Sequence, residues 1–218
     1  MRATVIFFCC CSFLCAQQPR YFAGAAVGVT TLSADGKTAI TQSGSNVSLY
    51  KPENGFTYKL VAGAHLTEFF SVQGNYTGNA NALTLTSLST TGGGESVYEQ
   101  KRSSRHDLFG GDAMLYFRNR ASAFRPYLST GLGIGRFSSK PERVNVLKGA
   151  LIPPPNFSSN KPFLRVSVGI DVRIQKGWYF RYSFSESIQK NPISAQLTPP
   201  GSRNLASFQS LFGFIKQF

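Results

Sequence analysis

The chain has 218 residues, of which 42% are hydrophobic and only 15% charged, with 21 Gly, 19 Phe and 9 Tyr and a formal net charge of +13. Such apolar and aromatic content excludes a disordered chain, and the dominance of Gly, Ser, Thr and aromatics over helix formers excludes a helical bundle. The basic residues form no dense run or helical stripe, so nucleic acid is not an expected partner, and an anionic membrane surface suits the charge better.

The first element is an address. Arg2 precedes an apolar stretch from Val5 to Cys15, too short to span a bilayer as a helix but fitting the hydrophobic core of a cleaved leader. Residues 1–16 are read as a signal peptide and 17–218 as the mature domain, beginning near Gln17. All four cysteines (Cys9, Cys10, Cys11, Cys15) fall in the leader, so neither a disulfide nor a thiolate metal site is expected in the mature protein. The residues before Cys15 lack the small-residue pattern that would mark it for lipidation.

Eight segments with a two-residue period then follow: Tyr21–Leu32, Phe56–Thr67, Phe69–Ala80, His106–Phe117, Arg125–Ser138, Phe163–Ile174, Trp178–Gln189 and Ala206–Phe218. The sixth is the cleanest. Leu164, Val166, Val168, Ile170, Val172 and Ile174 form one row, and Arg165, Ser167, Gly169, Asp171 and Arg173 the other. Only a strand with two unlike faces gives that alternation. Connections alternate between long (residues 33–55, 81–105, 139–162, 190–205) and short (Glu68, 118–124, 175–177), as when hairpins close tightly at one end and project loops at the other. Every proline except Pro126, at a segment start, lies outside the segments, where a missing donor is tolerated.

The rows opposite the apolar ones are rich in small residues: Gly24, Ala26 and Gly28, then Ser129, Gly131, Gly133 and Gly135. A water-facing row would carry Lys, Glu and Thr, whereas small residues fit the crowded interior of a narrow barrel. Each segment reaches the roughly 9–11 residues that a strand tilted by about 45° needs to cross the hydrocarbon. Aromatics (Tyr21, Phe56, Phe69, Phe117, Trp178, Tyr179, Phe218) collect at segment ends like interfacial girdles. The expected fold is all-β: a closed, eight-stranded, antiparallel up-and-down transmembrane barrel, which satisfies every backbone group within lipid.

This pattern resembles the small bacterial outer-membrane β-barrels, such as the transmembrane domain of outer-membrane protein A and the opacity-type adhesins. The resemblance covers the whole mature chain. It implies the bacterial outer membrane as location, a structural or adhesin-like role without catalysis, and as partners outer-membrane lipid, lipopolysaccharide, the barrel-assembly machinery and a surface ligand, with the protein a monomer. The family's C-terminal assembly signal maps onto Gly213 and Phe218, while Lys216 stands where the family has an aromatic.

Two groups of charged residues are candidate sites. Lys59, Asp112, Arg165, Asp171, Arg173 and Arg181 lie on the lumen rows and are expected to pair there, since an unpaired buried charge costs several kcal/mol. The alternative reading of the same residues is a narrow pore that prefers anions. Lys101, Arg102, Arg105, Lys140, Arg143 and Lys148, with Lys161, lie in the long loops and are expected to face lipopolysaccharide phosphates. For catalysis the sequence offers His65, near the periplasmic end, and His106, near the outer end beside Asp107 with Ser103 and Ser104 close by. That second group is the nearest approach to a lipid-hydrolase site. No metal-ligand spacing appears and no cofactor is expected.

Overall fold

The structure, a computed structural model, describes residues 20–33, 38–41, 44–91, 94–149, 155–190 and 204–218. The leader, with its cysteines, lies outside the described residues. Ten strands are present in these segments: β1 (Arg20–Ser33), β2 (Thr38–Thr41), β3 (Gly44–Pro52), β4 (Asn54–His65), β5 (Phe70–Thr91), β6 (Gly94–Tyr116), β7 (Phe124–Lys148), β8 (Phe157–Gln175), β9 (Trp178–Lys190) and β10 (Asn204–Gln217).

Eight of them form a closed antiparallel ring in the order β1-β4-β5-β6-β7-β8-β9-β10, and β10 returns to β1 with Phe22 opposite Gln217 and Ser33 opposite Ala206. This is the expected architecture. The two extra strands do not break it. β3 continues the line of β4 along β5, Pro52 standing opposite Leu83 and Phe56 opposite Ala80, and β2 folds back on β3. The short connections share one end of the ring with Arg20 and Phe218, which is the periplasmic end in barrels of this type. Gly177, with φ of +76°, takes the left-handed conformation that the β8–β9 turn requires and that a side chain would strain.

The strands are longer than the alternation predicts. Pairing of β5 with β6 runs unbroken from Phe70 opposite Leu115 to Thr91 opposite Gly94, so residues 81–91 and 94–105 are the two arms of a ribbon rather than a loop. β7 likewise continues to Lys148, and β8 begins at Phe157. Three prolines placed between segments therefore sit within strands, and one of these, Pro52, is the last residue of β3. Pro141 lies opposite Arg102 at an irregularity where the β6–β7 register shifts. Pro162 is tolerated because pairing with β9 begins only at Phe163, so its missing donor faces an unpaired edge.

The faces are oriented as the composition requires for lipid. Leu164, Val166 and Val168 are 66%, 60% and 47% exposed, while Arg165 and Ser167 between them are 1% and 4% exposed. Tyr21, Phe56, Phe109, Leu132, Phe212 and Phe214 complete an apolar belt around the ring. Inside, two apolar clusters cap a polar middle. Phe22, Val61, Met114, Tyr116, Tyr127 and Ile215 gather toward the periplasmic end, and Leu32, Leu83, Leu85, Tyr98, Phe137 and Phe157 fill the outer end.

Candidate functional site: a filled lumen and an outer basic face

Adjacent strands β8 and β9 place Asp171 directly opposite Arg181. Arg181 donates from Nε to Asp171 Oδ1 at 2.6 Å and from Nη2 to Oδ2 at 2.7 Å, a bidentate pair closed by the Tyr116 hydroxyl, which donates to Oδ2 at 2.8 Å. Arg181 also reaches across the lumen, donating from Nη1 to Gln73 Oε1 at 3.1 Å. Gln73 Nε2 and Asn75 Nδ2 then each donate to Asp112 Oδ2 at 2.9 Å. Lys59 Nζ lies 3.6 Å from the same oxygen, and Arg165 Nη1 lies 3.7 Å from Asp112 Oδ1 while donating to Asn75. Five of the six lumen charges thus form one connected network spanning β4, β5, β6, β8 and β9.

The glycine row on β7 makes space for it. A Cβ on Gly131 would lie 2.0 Å from Asp112 Oδ1, and one on Gly135 would lie 2.3 Å from Gln189 Oε1. The Gly131–Gly135 run is therefore the crowded strand face its period implies. Beside the network lies a cavity of about 10 Å³, room for a single water-sized sphere.

Arg173, the sixth charge, takes no part. Its Nη2 donates to the carbonyls of Arg120 and Ala121 at 2.7 and 3.0 Å, pinning the β6–β7 turn. Sequence reasoning missed Arg125, which is fully buried with its guanidinium 3.8 Å over the Tyr116 ring and donates to the Glu68 carbonyl. It shares the inward parity of Tyr127 and Ser129, and that parity was the available signal. Gln73 and Asn75 were out of reach, because their value lies in facing Asp112 across strand pairs whose register alternation alone does not give.

Of the cations expected to face lipopolysaccharide, Lys101, Arg105, Lys140, Arg143 and Lys148 are exposed on β6 and β7. Arg102 is not. It points inward, fully buried, donating to Ser139 Oγ at 2.9 Å, the Ser139 carbonyl at 3.0 Å and the Pro155 carbonyl at 2.7 Å, with its guanidinium 4.1 Å over Phe157. The reason is the ribbon: residues 101–105 form a strand, so alternate side chains face opposite ways. Lys161 has the inward parity of Phe163 and is half-buried. Arg105 is held by Asp107 at 2.9 Å and Lys148 by Glu95 at 2.7 Å, whereas Lys101 stands directly opposite Arg143. Arg136, opposite Asp107, adds a further exposed cation to this face.

The same parity separates the hydrolase candidates. His106 and Ser104 point inward, Asp107 and Ser103 outward, and His106 Nε2 is 3.0 Å from Gln189 Oε1. His65 is buried against Ser71, with Nδ1 2.6 Å from its hydroxyl, between Phe22 and Tyr116. At the C-terminus, Gly213 lets β10 approach β1, since a Cβ there would lie 2.1 Å from the Ala25 carbonyl. Phe218 is exposed beside Tyr21, and Lys216 Nζ lies 5.0 Å over the Trp178 ring.

A closed ring with a greasy belt outside and a packed ionic interior defines an integral β-barrel protein of the bacterial outer membrane. The sequence matches the outer membrane protein beta-barrel domain family over residues 6–199, and the chain belongs to that family. Among solved structures it is similar to neisserial surface protein A (NspA), with a TM-score of 0.57 at 13% identity, covering 93% of this chain and 100% of that one. It is also similar to Ail, the attachment invasion locus protein of Yersinia pestis, solved in complex with the heparin analogue sucrose octasulfate, with a TM-score of 0.51 at 11% identity and the same coverage. No curated protein matches the sequence.

Proposed function

We propose that the protein is a non-conducting, non-catalytic element of the outer envelope that stabilises the membrane and interacts at the cell surface. The observation that carries this reading is the lumen. Side chains fill it from the aromatic cluster at the periplasmic end to the apolar cluster at the outer end, and the Asp171–Arg181–Gln73–Asp112 chain ties four strands together across it. Buried ion pairs of this geometry lock a barrel and impede ion passage at once.

The outward face of β6 and β7 supports a surface role. Lys101 opposite Arg143 is a like-charge cross-strand pair, unfavourable in isolation and relieved by an anionic partner. Arg105 and Arg136 lie just outside the apolar belt at Phe109 and Ile134, at the height of headgroup phosphates, and lipopolysaccharide is the partner this placement favours. The sulfated ligand solved with Ail belongs to the same class of polyanionic saccharide. Gly213 and Phe218 serve recognition by the barrel-assembly machinery, and the protein acts as a monomer.

Conductance of the purified protein in planar bilayers tests the central reading. A silent membrane is expected. Resolved anion-selective steps would replace the structural role with that of a narrow pore.

A further inference from the structure

The charges in the middle of the lumen do not balance. Among the described residues, the carboxylates that face Lys59, Arg165 and Arg181 are Asp112 and Asp171, and all five side chains are buried. A cation in so enclosed a space costs several kcal/mol unless it is compensated. Arg125, a further buried guanidinium among the described residues, lies at the periplasmic turn, where it donates to the Glu68 backbone carbonyl and stacks on Tyr116, and brings no carboxylate to the count. Around the Asp112–Asp171 network the excess is one positive charge.

Two cations with donors left over, Lys59 and Arg181, border the same space. A guanidinium carries five N–H groups and an ammonium three. Arg181 uses four, on Asp171, Tyr116 and Gln73, leaving one on Nη1. Lys59 approaches Asp112 only at 3.6 Å, beyond hydrogen-bond range. Both line the 10 Å³ cavity together with Gln73, Tyr127 and Ser183, while Val61 and Ile215 close its apolar side. Tyr127 and Ser183 are the hydroxyl-bearing residues of its wall. Neither aspartate is part of this wall.

A cavity with two cationic donors, a hydroxyl donor, no carboxylate and room for one small sphere matches a monatomic anion. A water molecule would accept the hydrogen bonds and leave the excess charge. Sulfate or phosphate is too large for the volume. We propose that this cavity binds a single halide, chloride in ordinary salt, as a structural counter-ion that neutralises the Lys59–Arg165–Arg181 cluster and tightens contact between β4 and β9.

The test uses the full chain folded in detergent, with thermal unfolding followed in sodium chloride, sodium bromide, sodium gluconate and sodium sulfate at matched ionic strength. The halides are expected to raise the midpoint saturably by about 2–6 °C above gluconate and sulfate. In Ser183→Val, which fills the cavity and leaves all five charges in place, that halide-specific rise disappears. Crystals soaked in bromide are expected to show an anomalous peak between Lys59 Nζ and Ser183. Equal rises in all four salts, a halide-specific rise that survives Ser183→Val, or bromide-soaked crystals with no peak at that position would each overturn the proposal. The diffraction result stands independently of whether the variant folds.

Discussion

Along β5 the inward-facing residues change character within a few positions. Gln73, Asn75, Thr77, Asn79 and Asn81 look into the lumen, and the next inward residues are Leu83 and Leu85. The outward residues change in the opposite sense, from Val72 and Tyr76 to Thr84 and Thr86. The lower region has a polar interior and an apolar exterior. The upper region is built like a water-soluble barrel, with Leu32, Leu85, Tyr98 and Phe137 as its core and Lys101, Arg105 and Lys140 among its outward cations. One continuous sheet carries both, because a strand specifies only that its faces differ, and the surrounding solvent decides which face is greasy. In lipid, apolar burial does not drive folding and the interior is held by ion pairs and hydrogen bonds. Above the lipid, the hydrophobic effect resumes its usual direction.

This contrast can be broken at measurable points. Asp171→Ala, in the lower region, leaves Arg181 buried without its carboxylate and is expected to cost about 3–5 kcal/mol in urea-induced unfolding from detergent or vesicles. Leu85→Ala, in the upper core, is expected to cost about 2–5 kcal/mol, expressed as faster amide exchange in residues 83–102 while β8 and β9 stay protected. Val168→Arg puts a charge on the lipid face near mid-belt and should destabilise by about 2–4 kcal/mol. The matching change above the belt, Thr86→Arg on the outward face opposite Glu99, should stay within about 0.5 kcal/mol. Near-equal effects of these two arginines would remove the assignment of two solvents to one sheet.

A smaller effect is expected from pH. Burial pushes the Tyr98 phenol above its ordinary value of 10.0, against the opposing pulls of its hydrogen bond with Ser87 and of the Arg102 charge. The neutral form is the folded one. Its contribution is therefore complete below the ordinary value and fades as pH climbs through the raised one. Loosening of the upper region above pH 10, read by amide exchange or proteolysis and reduced in Tyr98→Phe, is the expected result.

The same contrast explains what the sequence made legible. Within the belt, Leu164 to Ile174 and Trp178 to Phe184 announce their faces, and strand number, orientation and closure follow. Above the belt the alternation continues with the opposite sense. Asn81-Ala82-Leu83-Thr84-Leu85-Thr86 reads as a loop to anyone looking for grease on the outward parity. Arg102 was misplaced for that reason, since a residue in a loop has no parity and a residue in a ribbon does. The lumen network was legible as a set of charges but not as connections. Asp171 meets Arg181 through adjacent strands, yet Gln73 reaches Arg181 from across the ring, and only the closed geometry brings them together.

Closure itself has a consequence for biogenesis. The first stave, β1, finds its second neighbour only in β10, the last of the described strands in chain order. Until then two rows of backbone donors and acceptors stay bare, a template for adhesion to other chains. Joining ends so distant in sequence also carries a large loop-closure entropy, which makes the final seam slow to form. Sealing that seam is the step at which a chaperone or an insertion machine has most to contribute.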